Sequence, residues 1–188
     1  PQGDRGGADQ RGGSGRFVIR TRRVTPPVGY RRGVGVMLFN PAGQILVAKR
    51  RDTPGEAWQM PQGGIDLGED PRTAALRELQ EETGTANAEI VAEARNWLVY
   101  DLPDELIGKV WGGRYRGQAQ KWFAARFLGA DSEIDIHKHD HPEFSEWKWA
   151  PLEELPALAV GFKRTLYANL VAELGPRIRD ALAASPAA

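Results

Sequence analysis

Three glutamates, Glu78, Glu81 and Glu82, stand at positions i, i+3 and i+4 of one short segment. Residues three and four apart lie on the same side of an α-helix, so a helix here would display the carboxylates as one group. Without a partner this arrangement is unfavourable, because like charges repel and a helix C-terminus favours cations. A hard divalent cation would reverse both effects, and oxygen ligands select Mg²⁺, Mn²⁺ or Ca²⁺. The segment therefore predicts a metal site, with a solvated charged face as the alternative.

A helix over residues 71–83 is predicted to position these carboxylates. Asp70 suits the N-cap, and Gly84 suits the position just beyond the C-terminus. Leu76 and Leu79 fall on the side opposite the glutamates, where they can anchor the helix to a hydrophobic core. The prediction is a rigid helix with one acidic and one apolar side.

The other elements predict a mixed sheet packed between helices. Leucines four residues apart predict a C-terminal amphipathic helix, and residues 54–69 are rich enough in Gly and Pro to be a loop. Strands are predicted at 34–39, 45–48, 88–100, 119–128 and 147–150, with a hairpin turn at 40–43. This order of elements indicates an α/β fold with helices on both faces of the sheet.

Charge and composition exclude several classes of protein. The 188 residues carry 25 Lys+Arg and 25 Asp+Glu, and zero net charge argues against a dedicated nucleic-acid scaffold, so DNA is not an expected partner. No cysteine is present, which excludes disulfide frameworks and cysteine nucleophiles. No apolar run approaches the ~18 residues of a membrane span, so we expect no membrane partner and a cytoplasmic location. The sequence carries no signal for an oligomeric state.

The three glutamates belong to a longer pattern of fixed spacing. Residues 63–84 read GGIDLGEDPRTAALRELQEETG, in which Glu69 and Arg77 stand at set distances from Gly63. The segment resembles the Nudix box at nearly every fixed position, with Thr85 departing from the usual aliphatic residue. The resemblance implies a hydrolase that cleaves a phosphoanhydride in a nucleoside diphosphate derivative. It also implies a Nudix-type α/β/α sandwich with a central mixed sheet.

The resemblance to the Nudix family also implies roles for individual residues. The implied cofactor is Mg²⁺ or Mn²⁺, with two or more ions. Arg77 is expected to orient Glu78 through a salt bridge, and Glu69 to support the site. The general base is left open between Glu78, Glu82 and Glu143. The implied metal ligands are Gly63 (through its carbonyl), Glu78, Glu81, Glu82 and Glu143.

Further segments resemble one branch of the family, which contains RNA pyrophosphohydrolases and asymmetric diadenosine tetraphosphate hydrolases. These segments lie at 30–31, 34–35, 58–64, 117–123, 142–144 and 162–164. The main hypothesis is removal of pyrophosphate from 5′-triphosphorylated RNA. The alternative is asymmetric hydrolysis of dinucleoside tetraphosphates to ATP and AMP. A nucleotide-binding module without catalysis is a third possibility, which the intact glutamates disfavour.

Contacts to the phosphates and the base complete the predicted site. Arginine binds phosphates through paired hydrogen bonds, and exposed aromatic faces stack on bases. The expected contacts are Arg31, Arg50, Arg51, Lys121 and Lys163 for phosphates, and Tyr100 and Phe162 for the base, with core packing as the alternative for both rings. Histidines 137, 139 and 141 are expected in a solvated loop rather than a zinc site, with a lid as the lesser alternative.

The chain is predicted to have three parts. Residues 1–26 are expected to be a flexible basic arm rich in Gly and Arg. Residues 1–16 lack the apolar surface needed to offset ordering entropy, and residues 17–19 could begin a peripheral strand. This arm is either an unstructured tail or a tether whose arginines contact RNA phosphates. Residues 27–180 are expected to be the Nudix hydrolase domain, and residues 181–188 a flexible tail.

Overall fold

The computed structural model describes residues 25–161 and 163–184. Within these ranges the strands are β1 (Tyr30–Phe39), β2 (Ile45–Arg50), β3 (Trp58–Gln59), β4 (Gln62–Gly64), β5 (Ala88–Glu93), β6 (Leu98–Asp101), β7 (Gly117–Phe127) and β8 (Phe144–Ala150). The helices are α1 (Pro71–Thr83), α2 (Leu155–Leu158) and α3 (Lys163–Ala183). The stacking candidate Phe162, nearly all of the basic arm and residues 185–188 of the C-terminal tail lie outside the described residues. The three-part division of the chain stays a prediction.

All of these strands join one mixed sheet. Its main path runs β3-β2-β1-β7-β5, and β4, β6 and β8 pair with β1, β7 and β2 respectively. The central pair, β1 and β7, is parallel, with Tyr30 opposite Gly117 and Phe39 opposite Arg126. The other described pairs are antiparallel. Because β4 pairs with the first half of β1, its glycines are held beside the centre of the sheet.

Helices cover both faces of this sheet. Successive side chains of a strand point to opposite faces, and β1 follows this alternation. Val34 and Val36 pack with Leu79 of α1 on one face. Met37 packs with Leu170 of α3 on the other. The predicted α/β/α sandwich is confirmed. No helix of the described part of the chain is long and apolar enough to cross a membrane.

Helix α1 begins and ends where its capping residues predicted. The side chain of Asp70 accepts hydrogen bonds from the backbone N–H groups of Arg72 (3.0 Å) and Thr73 (3.2 Å), which the first turn leaves without helical partners. Gly84 takes the left-handed conformation (φ 77°), and its N–H donates to the carbonyl of Gln80. The acidic helix is therefore defined by local chemistry at both ends.

Two predicted segments differ from the structure. The predicted loop 54–69 contains the short strands β3 and β4, and the predicted strand 88–100 divides into β5 and β6. Strands β3 and β4 form because β2 and β1 offer hydrogen-bonding edges, so pairing with distant residues overrides the Gly- and Pro-rich composition.

Removing the N-cap of α1 is expected to destabilise the fold. Asp70→Ala leaves two N–H groups without their acceptor and should lower the free energy of unfolding by about 1 kcal/mol. Asp70→Asn is the matched control, because asparagine caps as well as aspartate does. Urea unfolding of the three proteins measures the difference. Equal losses in both variants would mean that the charge matters and the cap does not.

Candidate active site

A cleft of about 1060 Å³ opens where β1, β4 and α1 meet. Its walls include the acidic side of α1, the segment after β6 and the loop before β8. The structure brings most of the predicted site residues to this cleft, namely Arg31, Arg50, Gly63, Glu78, Glu81, Glu82, Tyr100, Glu143 and Lys163. Acidic and basic side chains thus share one cavity.

Arg77 fastens the acidic helix to the loop that precedes it. Its Nε and Nη2 each donate to one carboxylate oxygen of Glu69 at 2.8 Å, and Nη2 also donates to the carbonyl of Gly64 at 2.8 Å. Its Nη1 donates to Glu78 at 3.0 Å and to Glu81 at 3.3 Å, so the expected contact with Glu78 is present. The hydrogen bonds from Arg77 lower the pKa of Glu69 to about 2.

Two glycines of β4 let charged side chains lie directly against the backbone. A Cβ at Gly63 would stand 2.0 Å from the carboxyl carbon of Glu78, and a Cβ at Gly64 would stand 2.3 Å from Nη2 of Arg31. Neither position can carry a side chain without displacing one of these groups. The absence of side chains at 63 and 64 therefore allows a carboxylate and a guanidinium to approach the same short strand.

Glu82 is the most buried carboxylate of the cleft. It is 9% exposed, and one oxygen accepts the backbone N–H of Gln62 at 2.9 Å. Burial raises the pKa of Glu82 well above its usual value, the Gln62 N–H opposes this, and the charges of Glu143 and Glu78 add to it. Burial likewise raises the pKa of Glu78, against the hydrogen bond from Arg77. These carboxylates lie in an environment that favours an added positive charge.

The donor atoms of this cluster suit a hard divalent cation. Among the described residues, no three His, Cys, Asp or Glu side chains already converge at metal-binding distances. Nη1 of Arg77 bonds to both Glu78 and Glu81, and this contact keeps those two carboxylates turned toward the guanidinium. The available donors are all oxygen, and the side chain of Glu81 is 52% exposed, so it has room to turn.

The two arginines that line the cleft differ in their partners. Arg50 donates to both carboxylate oxygens of Asp52, and its Nη1 lies 3.5 Å from Glu143. The hydrogen bonds from Arg50 lower the pKa of Asp52 to about 2. Arg31 makes no hydrogen bond or ion pair with another described residue. Its guanidinium donors are therefore available to a ligand, whereas those of Arg50 are largely engaged.

Lys163 and Tyr100 are largely buried at the cleft. The Nζ of Lys163 donates to the amide oxygens of Gln59 (3.0 Å) and Gln62 (3.3 Å), and burial lowers its pKa to about 8. Tyr100 is 8% exposed and its hydroxyl donates to Gln118. Lys163 thus has no carboxylate partner among the described residues, and Tyr100 lies mainly in the core while bordering the cavity.

Lys121 and Arg51 do not line the cleft, so their predicted contacts with phosphates stay predictions. The Nζ of Lys121 lies 3.0 Å from a carboxylate oxygen of Glu93. Side chains alternate along β7, and Gln118, which lines the cleft, stands on the opposite face from Lys121. The side chain of Arg51 is exposed outside the cleft. The backbone N–H of Arg51 donates a hydrogen bond to the carbonyl of Glu143.

Several residues of the cleft were not predicted from the sequence. Gln118 lies inside a segment that resembles the family branch, so a signal for it was present. Trp111 lies in an irregular segment and matches no motif. His139 and His141 are exposed, as expected for a solvated loop, and they also line the cleft. The Nε2 of His139 lies 3.2 Å from the carbonyl of Gln80, which joins this loop to α1.

The Glu69–Arg77 pair is expected to give a pH-dependent contribution to stability. Because the folded pKa of Glu69 is about 2, below the ordinary value of about 4.3, its stabilisation is present above pH 4.3 and is lost as the pH falls toward 2. Glu69→Gln should lose about 1–3 kcal/mol at pH 7. Urea unfolding from pH 3 to 8 in EDTA should show that the difference in free energy of unfolding between the wild type and Glu69→Gln becomes smaller below pH 4.5.

The control for this experiment is Glu89→Gln, at an exposed carboxylate of β5. It should change stability by no more than about 0.5 kcal/mol. A gap between the wild type and Glu69→Gln that stayed constant down to pH 3 would show that the pair contributes no charge-dependent stability.

Similarity to known proteins agrees with this geometry. Residues 29–170 match the NUDIX domain family. An RNA pyrophosphohydrolase from Rhodospirillum rubrum is 59% identical over 145 residues, which cover 77% of this chain and 87% of that protein. One from Sphingopyxis alaskensis is 56% identical over 151 residues, covering 79% of this chain and 95% of that protein.

Solved structures of low sequence identity share the fold. The dihydroneopterin triphosphate pyrophosphohydrolase of E. coli has a TM-score of 0.60 and 20% identity, covering 76% of this chain and 97% of that one. An Ap4A hydrolase of C. elegans has a TM-score of 0.56 and 23% identity, covering 78% and 98%. These two likenesses concern the fold alone. Because the NUDIX domain match spans most of the chain, and the relatives above are more than half identical to it, this protein belongs to the Nudix family of hydrolases.

Proposed function

We propose that this protein removes pyrophosphate from the 5′ end of triphosphorylated RNA, in the cytoplasm and with the help of divalent cations. The relatives from R. rubrum and S. alaskensis carry the name RNA pyrophosphohydrolase. The observation that carries the proposal is the cleft itself, in which the carboxylates of α1 share one cavity with Arg31 and Lys163. A polyphosphate repels carboxylates, so it can bind in this cavity only where positive charge separates its oxygens from them. Arg31 and Lys163 supply such charge, and the carboxylates can hold metal cations that supply more.

The metal ligands proposed for this cleft are the carbonyl of Gly63 and the carboxylates of Glu78, Glu81, Glu82 and Glu143. Their oxygen atoms suit Mg²⁺ or Mn²⁺, and we propose that two or more ions bind. When bound, the ions supply charge neutralisation at the phosphates and a more acidic water. Arg77 is proposed to orient Glu78 and Glu81, because its Nη1 donates to both carboxylates.

The remaining cleft residues are proposed to position the polyphosphate. Phosphoryl transfer depends mainly on positioning and on stabilisation of charge. Arg31 and Lys163 have no carboxylate partners among the described residues and can donate to phosphate oxygens. Arg50 also lines the cleft and is proposed as a further phosphate contact, although Asp52 and Glu143 already engage part of its guanidinium.

Hydrolysis at the RNA end breaks the α–β anhydride bond, and a water oxygen bonds to one of the two phosphorus atoms, which leaves monophosphorylated RNA and pyrophosphate. The water proton passes to a cleft carboxylate, for which Glu78, Glu82 and Glu143 are the candidates. Glu82 offers one oxygen beyond the one bonded to Gln62, and Glu78 one beyond the one bonded to Arg77. Glu143 is 57% exposed and is the most open to water of the three.

Loss of the buried carboxylate is expected to abolish turnover. Glu82→Gln keeps the size of the side chain but removes its charge, and should lower pyrophosphate release from triphosphorylated RNA by about 100-fold or more. Glu153→Gln, at an exposed carboxylate outside the cleft, is the matched control and should keep wild-type activity. EDTA should stop the wild type, and added Mg²⁺ should restore it. A wild type that releases no pyrophosphate at any Mg²⁺ or Mn²⁺ concentration would refute the proposed function.

Substrate preference separates the proposed function from its alternative. The specificity constant kcat/KM is measured for triphosphorylated RNA and for diadenosine tetraphosphate with the same enzyme and metal. We expect the higher value for RNA, because the RNA pyrophosphohydrolases above are more than half identical to this chain. A higher value for diadenosine tetraphosphate would assign the main activity to dinucleoside polyphosphates instead.

A further inference from the structure

The loop between β6 and β7, residues 102–116, forms one wall of the cleft. Its base is closed by hydrogen bonds from Leu102 N–H to Arg116 O (2.9 Å) and from Arg116 N–H to Gly29 O (3.0 Å). Between these points, the hydrogen bonds of residues 103–115 stay inside the loop, and no ion pair joins them to other described residues. The position of this wall therefore depends on side-chain packing.

Trp111 of this loop contacts Arg31 of the central strand β1. The Cζ of Arg31 lies 5.2 Å from the centroid of the Trp111 ring, within the range of a cation–π interaction. Trp111 has a positive φ of 51°, which is uncommon for a bulky residue, and Gly112 and Gly113 follow it with φ of 67° and 72°. The indole thus contacts Arg31 from a segment in which three successive residues have positive φ.

Arg31 is oriented by two neighbours. Gly64 leaves the space that Nη2 of Arg31 occupies, and the centroid of the Trp111 ring lies 5.2 Å from the Cζ of Arg31. The N–H donors of a guanidinium lie in its plane, whereas an aromatic ring interacts with the group as a cation and stacks on its face. A guanidinium held in this way keeps its in-plane donors for a phosphate. Arg77, in contrast, has already committed its donors to carboxylates and a carbonyl.

We propose that Trp111 is a positioning residue that holds Arg31 in the orientation needed to bind the polyphosphate. This inference rests on the proposed function for the identity of the substrate, and on the observed Arg31–Trp111 contact for its geometry. Trp111 acts through Arg31 and not by touching the reacting atoms. Through this contact, the position of the 102–116 loop also affects the position of the Arg31 guanidinium, which is proposed to bind the substrate.

A double-mutant cycle tests this coupling. Trp111→Leu should lower kcat/KM for triphosphorylated RNA by about 3-fold to 30-fold, mainly through KM, because a cation–π contact of this kind is lost. Trp111→Phe should keep most of the activity, since phenylalanine retains an aromatic face. In an Arg31→Gln background, Trp111→Leu should change kcat/KM by less than about twofold.

Ile107→Ala is the control, because Ile107 is exposed in the same loop and does not line the cleft. It should leave kcat/KM unchanged, and thermal unfolding should show that every variant folds. If the losses from Trp111→Leu and Arg31→Gln multiply in the double variant, Trp111 acts independently of Arg31 and the inference is overturned.

The same cycle can be measured without turnover. If the wild type does not hydrolyse triphosphorylated RNA, the proposed function fails, and calorimetric binding of inorganic tripolyphosphate in Mg²⁺ then replaces kcat/KM. The inference predicts weaker binding in Trp111→Leu and no further loss when Arg31→Gln is already present. Multiplying losses, or unchanged binding in Trp111→Leu, would overturn it in this form as well.

Discussion

The guanidinium of Arg77 is the constraint on which the acidic site depends. An arginine side chain carries five N–H donors, and the structure gives each an acceptor: both oxygens of Glu69, the carbonyl of Gly64, Glu78 and Glu81. One side chain therefore joins helix α1, the loop before it and strand β4. A lysine in its place would have three donors and no planar fork, so it could not hold all of these groups.

This network explains how a chain of zero net charge can form a polyphosphate site. Arg77 offsets the repulsion among the carboxylates, and its bond to one oxygen of Glu78 leaves the other oxygen of Glu78 without that contact. Arg31 and Lys163 supply positive charge in the same cavity without carboxylate partners among the described residues. Net charge alone would have argued against a polyanionic substrate. The local arrangement of charges within the cleft, and not the net charge of the chain, determines whether a polyanion can bind there.

The parts of the structure that depend on neighbouring residues were predictable from the sequence. Helix α1 has the predicted bounds because Asp70 and Gly84 act on the backbone beside them. The segments that depend on distant partners were not: β4 forms only because β1 accepts it as a partner. A sequence motif does not show which face of a strand a residue occupies, so the ion pair of Lys121 with Glu93 could not be read from it. The sequence did not indicate that Trp111 lies at the site, because its contact Arg31 is remote in sequence.

The parallel pairing of β1 with β7 has a consequence for the order in which the chain acquires its structure. Tyr30 lies opposite Gly117, so the centre of the sheet closes only after most of the domain has been synthesised. Helix α1 lies between these strands in sequence, and Leu79 packs in a cluster that includes Phe123 of β7. On the ribosome, the acidic helix therefore emerges before the strand that shelters it. Glu143 follows β7 in sequence, so the carboxylates of α1 and Glu143 share one cleft only when β7 and the loop before β8 are both in place.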